Sequence, residues 1–199
     1  MTNIENDSLH SQLVQYNGLE KSQFPIILIH DMMKGYDFKF IGELTKESLN
    51  EFVIKWYRGP IEPYFKSESF NYTGSDEIIK LSRNNLEEVI FNLEKDNHVI
   101  VNFFASWHKN NTHFSKIYSE FFEKVKNTPD LKLSEIDISK NFINDFIDID
   151  EIPTIMMFHR DNKSSPVEFD DQKTVKNLLA FVEQNINSSQ KNSSVKIDL

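Results

Sequence analysis

The sequence predicts an α/β fold, and two neighbouring features carry that prediction. The first is an apolar run, Val99-Ile100-Val101, broken by Asn102 and resumed by Phe103-Phe104-Ala105. β-Branched and aromatic residues over this length favour a buried central strand. The second is the pattern that follows. After a few polar residues, Phe114, Ile117, Tyr118, Phe121 and Val125 recur at helical spacing and form one apolar face. A buried strand, a short turn and an amphipathic helix begin a βα unit.

Taken in order, residues 1–12 are polar and read as a flexible terminus. Leu13, Val14 and Tyr16 would end a helix stopped by Asn17-Gly18. Phe24 to Ile29 reads as a buried strand with Pro25 at its start, and Tyr36 to Phe40 as a second strand after a turn at Met32 to Gly35. Thr45 is the N-cap of a helix with the stripe Leu49, Phe52, Val53 and Trp56, stopped by Gly59 and Pro60. Residues 60–75 have linker composition, with Pro60, Pro63, Ser67, Ser69 and Gly74. The next unit, 76–187, reads as strand 76–81, helix 84–94 with stripe Leu86, Val89, Ile90 and Leu93, strand 98–105, helix 110–126 and strand 131–138. Helix 141–147, strand 154–159, strand 166–169 and helix 173–186 complete it, the last with Val175, Leu178, Leu179, Val182 and Ile186 inward. The Ser-, Asn- and Lys-rich tail 188–199 reads as disordered.

Composition narrows the function. The chain has 199 residues, 39% hydrophobic and 27% charged, which suits a globular protein. A net charge of -9 argues against nucleic acid and anionic membranes as partners. Its apolar runs all fall well short of the ~20 residues of a membrane span. There is no cysteine, which excludes disulfides, thiolate catalysis and thiolate metal sites. His108 and His113 do not share a helix face, and neither His98 nor His159 completes a zinc set with them, so no metal or other cofactor is implied.

The stretch Val-Ile-Val-Asn-Phe-Phe-Ala-Ser-Trp-His-Lys-Asn-Asn over 99–111 resembles the Val-x-Val-Glu-Phe-Tyr-Ala-Pro-Trp-Cys-Gly-His-Cys segment of protein disulfide isomerases. The resemblance implies a thioredoxin-like α/β fold. It places Trp107 at the family's tryptophan, and His108 and Asn111 at its two redox cysteines. Asn102 falls at a buried glutamate that relays protons, and Ile152-Pro153 at the cis-proline turn facing the redox site. Lys173 falls near an arginine that assists catalysis. Residues 13–59 resemble the C-terminal half of the family's non-catalytic thioredoxin-like domain, so the chain reads as a complete cysteine-less domain preceded by a partial one.

That resemblance implies a redox-inactive protein of the endoplasmic reticulum lumen, a chaperone-like binder of unfolded or partner polypeptides. Ser106, Trp107, Ile152 and Pro153 would line its lip. Imidazole and amide cannot replace an attacking thiolate. Asn102 reads as a structural amide satisfied within the core. The alternatives are residual acid–base chemistry at His108, which would make the protein an enzyme, or a truncated product without an independent role. The tail ends in Lys196-Ile197-Asp198-Leu199, similar to a retention tetrapeptide. Residues 1–8 lack signal-peptide character, so the expectation is that 1–199 is the C-terminal part of a longer precursor. Six Asn-x-Ser/Thr sequons occur, at Asn6, Asn71, Asn110, Asn162, Asn187 and Asn192.

Overall fold

A computed structural model describes Leu19, 25–59, 61–70, 77–143 and 146–193, with side chains up to residue 186. The helix end expected at Leu13 to Gly18 lies outside these residues, as do Phe24 and Pro60. The chain divides into two compact units, Met1–Ser67 and Glu68–Leu199.

In the first unit, strands β1 (Leu28–Asp31) and β2 (Tyr36–Lys39) form an antiparallel hairpin with Leu28 opposite Lys39. The Asp31 carboxylate accepts from the Met33 and Lys34 N–H groups, and Gly35 closes the turn at φ 69°. Helix α1 (Lys46–Arg58) opens on a reciprocal capping box between Thr45 and Ser48 and ends at Gly59, φ 56°. Phe52 faces inward and packs edge-on against Phe40, centroids 5.5 Å apart. Two expectations are corrected here. The first strand begins at Leu28 rather than Phe24, and it is half-buried, because a two-stranded sheet has too few neighbours to cover both faces. Val53 points outward beside Ile54, and Tyr57 (82%) and Met33 (95%) are largely exposed.

The second unit is built on a five-stranded sheet. Its strands are β3 (Ile79–Lys80), β4 (His98–Phe104), β5 (Leu131–Asp137), β6 (Thr154–His159) and β7 (Asn162–Glu168), in the order β3-β5-β4-β6-β7. β3, β4 and β5 are parallel; β6 and β7 are antiparallel. Helix α2 (Asn111–Val125) follows β4, and helix α3 (Val175–Ser193) closes the unit.

Alternation along β4 divides the core. Val99, Val101 and Phe103 join Leu86, Val89, Ile90, Ile143 and Phe158 on one face. Ile100 joins Phe114, Tyr118, Phe121, Leu133, Leu178 and Val182 on the other, beneath α2 and α3. Each buried large side chain contributes about 1.5–3 kcal/mol. The Tyr118 hydroxyl satisfies itself inside the core by donating to the Ser134 and Ile100 carbonyls at 2.9 and 3.3 Å.

Several elements differ from expectation. The helix placed at 84–94 is largely a π-helical turn, Glu88–Leu93, sealed by the Glu94 N–H on the Val89 carbonyl. The wider turn rotates Leu93 outward and brings Glu94 into the interior. β3 is two residues long rather than six. No helix lies between β5 and β6 among the described residues; Phe146 and Ile147 N–H groups close a turn on Ile143 instead. β7 is longer than 166–169, because pairing with β6 recruits the polar residues from Asn162. α3 continues to Ser193, into the stretch expected to be disordered, with no Gly or Pro to stop it.

Candidate functional site

The residues expected to line a lip lie at one end of this sheet. β4 ends at Phe104 and runs into the turn before α2. β6 is antiparallel to β4 with Phe103 opposite Thr154, which brings Ile152 and Pro153 to the same end. The Ile152–Pro153 peptide bond is cis, and both side chains are half-buried. The Thr154 hydroxyl donates to the Glu151 carbonyl at 2.6 Å and secures this turn.

Backbone bonds fix the opposite turn. The His108 N–H donates to the Ala105 carbonyl at 3.0 Å, and the Asn111 N–H to the His108 carbonyl at 2.9 Å. Trp107 is left 63% exposed, with the half-buried His108 ring set against it at a centroid distance of 6.0 Å. Asn111 opens α2 and is half-buried. An exposed indole can take an apolar chain segment, because its ring offers large area with few rotamers to immobilise. Ser106, Trp107, His108, Asn111, Ile152 and Pro153 therefore share one end of the sheet. Lys173 stands on the loop before α3, half-buried and without a hydrogen bond or ion pair among the described residues. The tetrapeptide Lys196 to Leu199 lies outside the described residues.

The interior beneath the lip corrects one expectation. Asn102 is 2% exposed and its Oδ1 has no hydrogen-bond partner among the described residues, so the amide oxygen is not satisfied within the core. The positions flanking Asn102 are Glu135 on β5 and Ile155 on β6. Burial raises the Glu135 carboxyl above its ordinary range, against the favourable Lys80 charge and with a further push from Asp137.

Asp137, which sequence reasoning missed, organises the turn. Its buried carboxylate accepts from the Ser106 N–H at 3.3 Å and from the Ser139 N–H at 3.0 Å and hydroxyl, with Lys140 Nζ at 3.6 Å. No signal in the sequence marks it, because Leu131-Lys132-Leu133-Ser134-Glu135-Ile136 already mixes charged and apolar residues before Asp137.

Comparison with known proteins shows the family. The family model described as Thioredoxin matches residues 77–184, more than half of the chain. A protein disulfide-isomerase of Arthroderma benhamiae is 30% identical over 169 residues, covering 82% of this chain and 32% of that protein. A probable protein disulfide-isomerase ER-60 of Schistosoma mansoni is 28% identical over 165 residues, covering 83% and 33%. The chain thus spans about a third of the length of these curated relatives. The first thioredoxin domain of mouse protein disulfide-isomerase A4 superposes with a TM-score of 0.49 at 19% identity, covering 59% of this chain and 81% of that one. On the family match and these relatives, the chain belongs to the thioredoxin family as a protein-disulfide-isomerase-like member, with no cysteine anywhere in its sequence.

Proposed function

We propose that this protein is a redox-inactive binder of unfolded or partner polypeptides in the endoplasmic reticulum lumen, acting without covalent capture. One observation carries the reading. Trp107 is exposed at the sheet end that holds the cis Ile152–Pro153 turn, and no cysteine exists in the chain. Disulfide exchange requires a thiolate to attack a disulfide sulfur, and this sequence contains none. What remains is apolar area and backbone suited to partial strand pairing with an extended chain.

A client held only by such contacts leaves quickly, so its affinity falls in the micromolar range, about -8 kcal/mol. The net charge of -9 favours basic client segments and makes binding weaken with salt. Calorimetric titration with a cysteine-free unfolded polypeptide tests this. A micromolar midpoint that rises with salt supports the reading, and no binding by the folded parent defeats it.

The lumenal address rests on the resemblance of Lys196-Ile197-Asp198-Leu199 to a retention tetrapeptide. Given a signal peptide in cells of its own source, the chain should be secreted more when these four residues are deleted. Unchanged secretion would refute the retention role.

A further inference from the structure

Two of the six sequons have described side chains throughout, and their geometries differ. Asn110 precedes α2 in helical conformation, φ -90° and ψ -2°, and Thr112 lies in the first turn. Residues two apart on a helix diverge by about 200° around its axis, so that amide and hydroxyl face different directions. Asn162 opens β7 after the turn Arg160-Asp161. Side chains two apart on a strand share a face. Asn162 and Ser164 are both exposed, and neither side chain makes a hydrogen bond among the described residues. Lys163 between them turns inward, is buried, and donates from Nζ to the Asn97 carbonyl at 2.8 Å. The middle residue thus anchors the sequon and holds its amide and hydroxyl side by side toward water.

The position adds a reason for a modification. β7 is the outer strand of the sheet beside β6, with one backbone edge unpaired among the described residues. Such an edge invites pairing with another chain, and inward-pointing charges and proline are common protections. β7 already carries both, in Lys163 and Pro166. A bulky hydrophilic group at Asn162 would extend that protection to the start of the strand.

We propose that Asn162 is an acceptor of N-linked oligosaccharide and that the sugar covers the free edge of β7. The inference rests on the lumenal reading above, since the donor, a lipid diphosphate-linked oligosaccharide, is met there. The Asn162 Nδ2 attacks the anomeric carbon of the donor. A C–N bond forms, the C–O bond to the diphosphate breaks with its electron pair leaving on the lipid diphosphate, and the Nδ2 proton passes to a base of the transferase.

The test uses the full chain isolated from its own cells. Peptide N-glycosidase converts a glycosylated Asn to Asp, so peptide mapping should find Asp at 162 after digestion and a glycopeptide before it. Asn162→Gln and Ser164→Ala, expressed in the same cells, should each lose one glycan's worth of mobility shift. Asn162→Gln should also aggregate faster than the parent. If Asn162 is unmodified while another sequon carries sugar, the acceptor assignment is overturned and the lumenal reading stands. If no sequon carries sugar, the acceptor assignment is overturned, and the lumenal reading is decided by the secretion assay alone. If Asn162 is sugared but its loss leaves aggregation unchanged, the edge-covering role is overturned.

Discussion

Acidification from about pH 7 to about pH 4 should cost the second unit about 3 kcal/mol through a single histidine, His98, and His98→Phe should remove most of that loss. His98 sits at the opposite end of β4 from the lip, 2% exposed, with its Nδ1 buried and unpartnered among the described residues. Burial lowers its pKa to about 4, and the neighbouring His159, Arg160 and Lys163 push the same way against Asp161. The His159 ring meets it edge-on at 5.3 Å and is itself lowered, mainly by burial. The unfolded chain takes up a proton near the ordinary value of about 6.5, whereas the folded chain resists until about 4. Stability from the neutral ring is therefore fully present above the unfolded value. It drains away as the pH falls from there through the folded value. Urea unfolding at a series of pH values reads this directly. The parent curve should fall steeply over that window and the His98→Phe curve should be flatter. Parallel curves would refute the assignment.

Asn141→Ala should destabilise the second unit by about 3 kcal/mol, because each buried group left unpaired costs about 1–3 kcal/mol. Asn141 is buried and uses all its amide atoms. Its Oδ1 accepts from the Glu68 N–H at 2.9 Å and the Arg83 N–H at 3.1 Å, and its Nδ2 donates to the Asp137 carbonyl at 3.0 Å and to Glu68 Oε2 at 3.1 Å. One side chain thereby joins the start of the unit at Glu68 to the acid that organises the lip turn. Glu68→Ala keeps the backbone donor and the Arg83 and Asp137 bonds of Asn141 but gives up the Asn141 Nδ2 contact and the 3.3 Å ion pair with Lys140, so its cost should be about 1 kcal/mol, well below that of Asn141→Ala. Equal losses for the two variants would show that the amide is not the joint.

The legibility of these features follows from their physics. β6 is readable because Ile155 to Phe158 is a continuous apolar run, and α2 because its stripe repeats at helical spacing. Thr45 was readable as a cap because its hydroxyl has one strong local use, here on the Ser48 N–H at 3.2 Å. β7 was cut short because Asn-Lys-Ser-Ser-Pro has poor strand propensity, and only pairing with β6 makes it a strand. The π-helical turn was invisible because Leu86, Val89 and Ile90 keep the spacing of an α-helix up to the point where the turn widens. At the lip, the resemblance located Trp107 and Pro153, but Asp137 and Asn141 act through distant backbone groups that no local pattern reveals. The unpartnered Asn102 was misread for the same reason, since satisfaction depends on neighbouring strands.

The central claim is that the end of the sheet around Trp107 holds clients without covalent chemistry. Trp107→Ala combined with Ile152→Ala tests it, with circular dichroism confirming that the variant stays folded. The assay is suppression of aggregation of a cysteine-free unfolded protein. Met33→Ser with Tyr57→Ser, which removes exposed apolar surface from the first unit, is the comparison. The account predicts that the lip variant loses at least about tenfold in binding, roughly 1.4 kcal/mol, while the first-unit variant binds like the parent. A folded lip variant that protects clients as well as the parent, with protection lost in the first-unit variant, would contradict it.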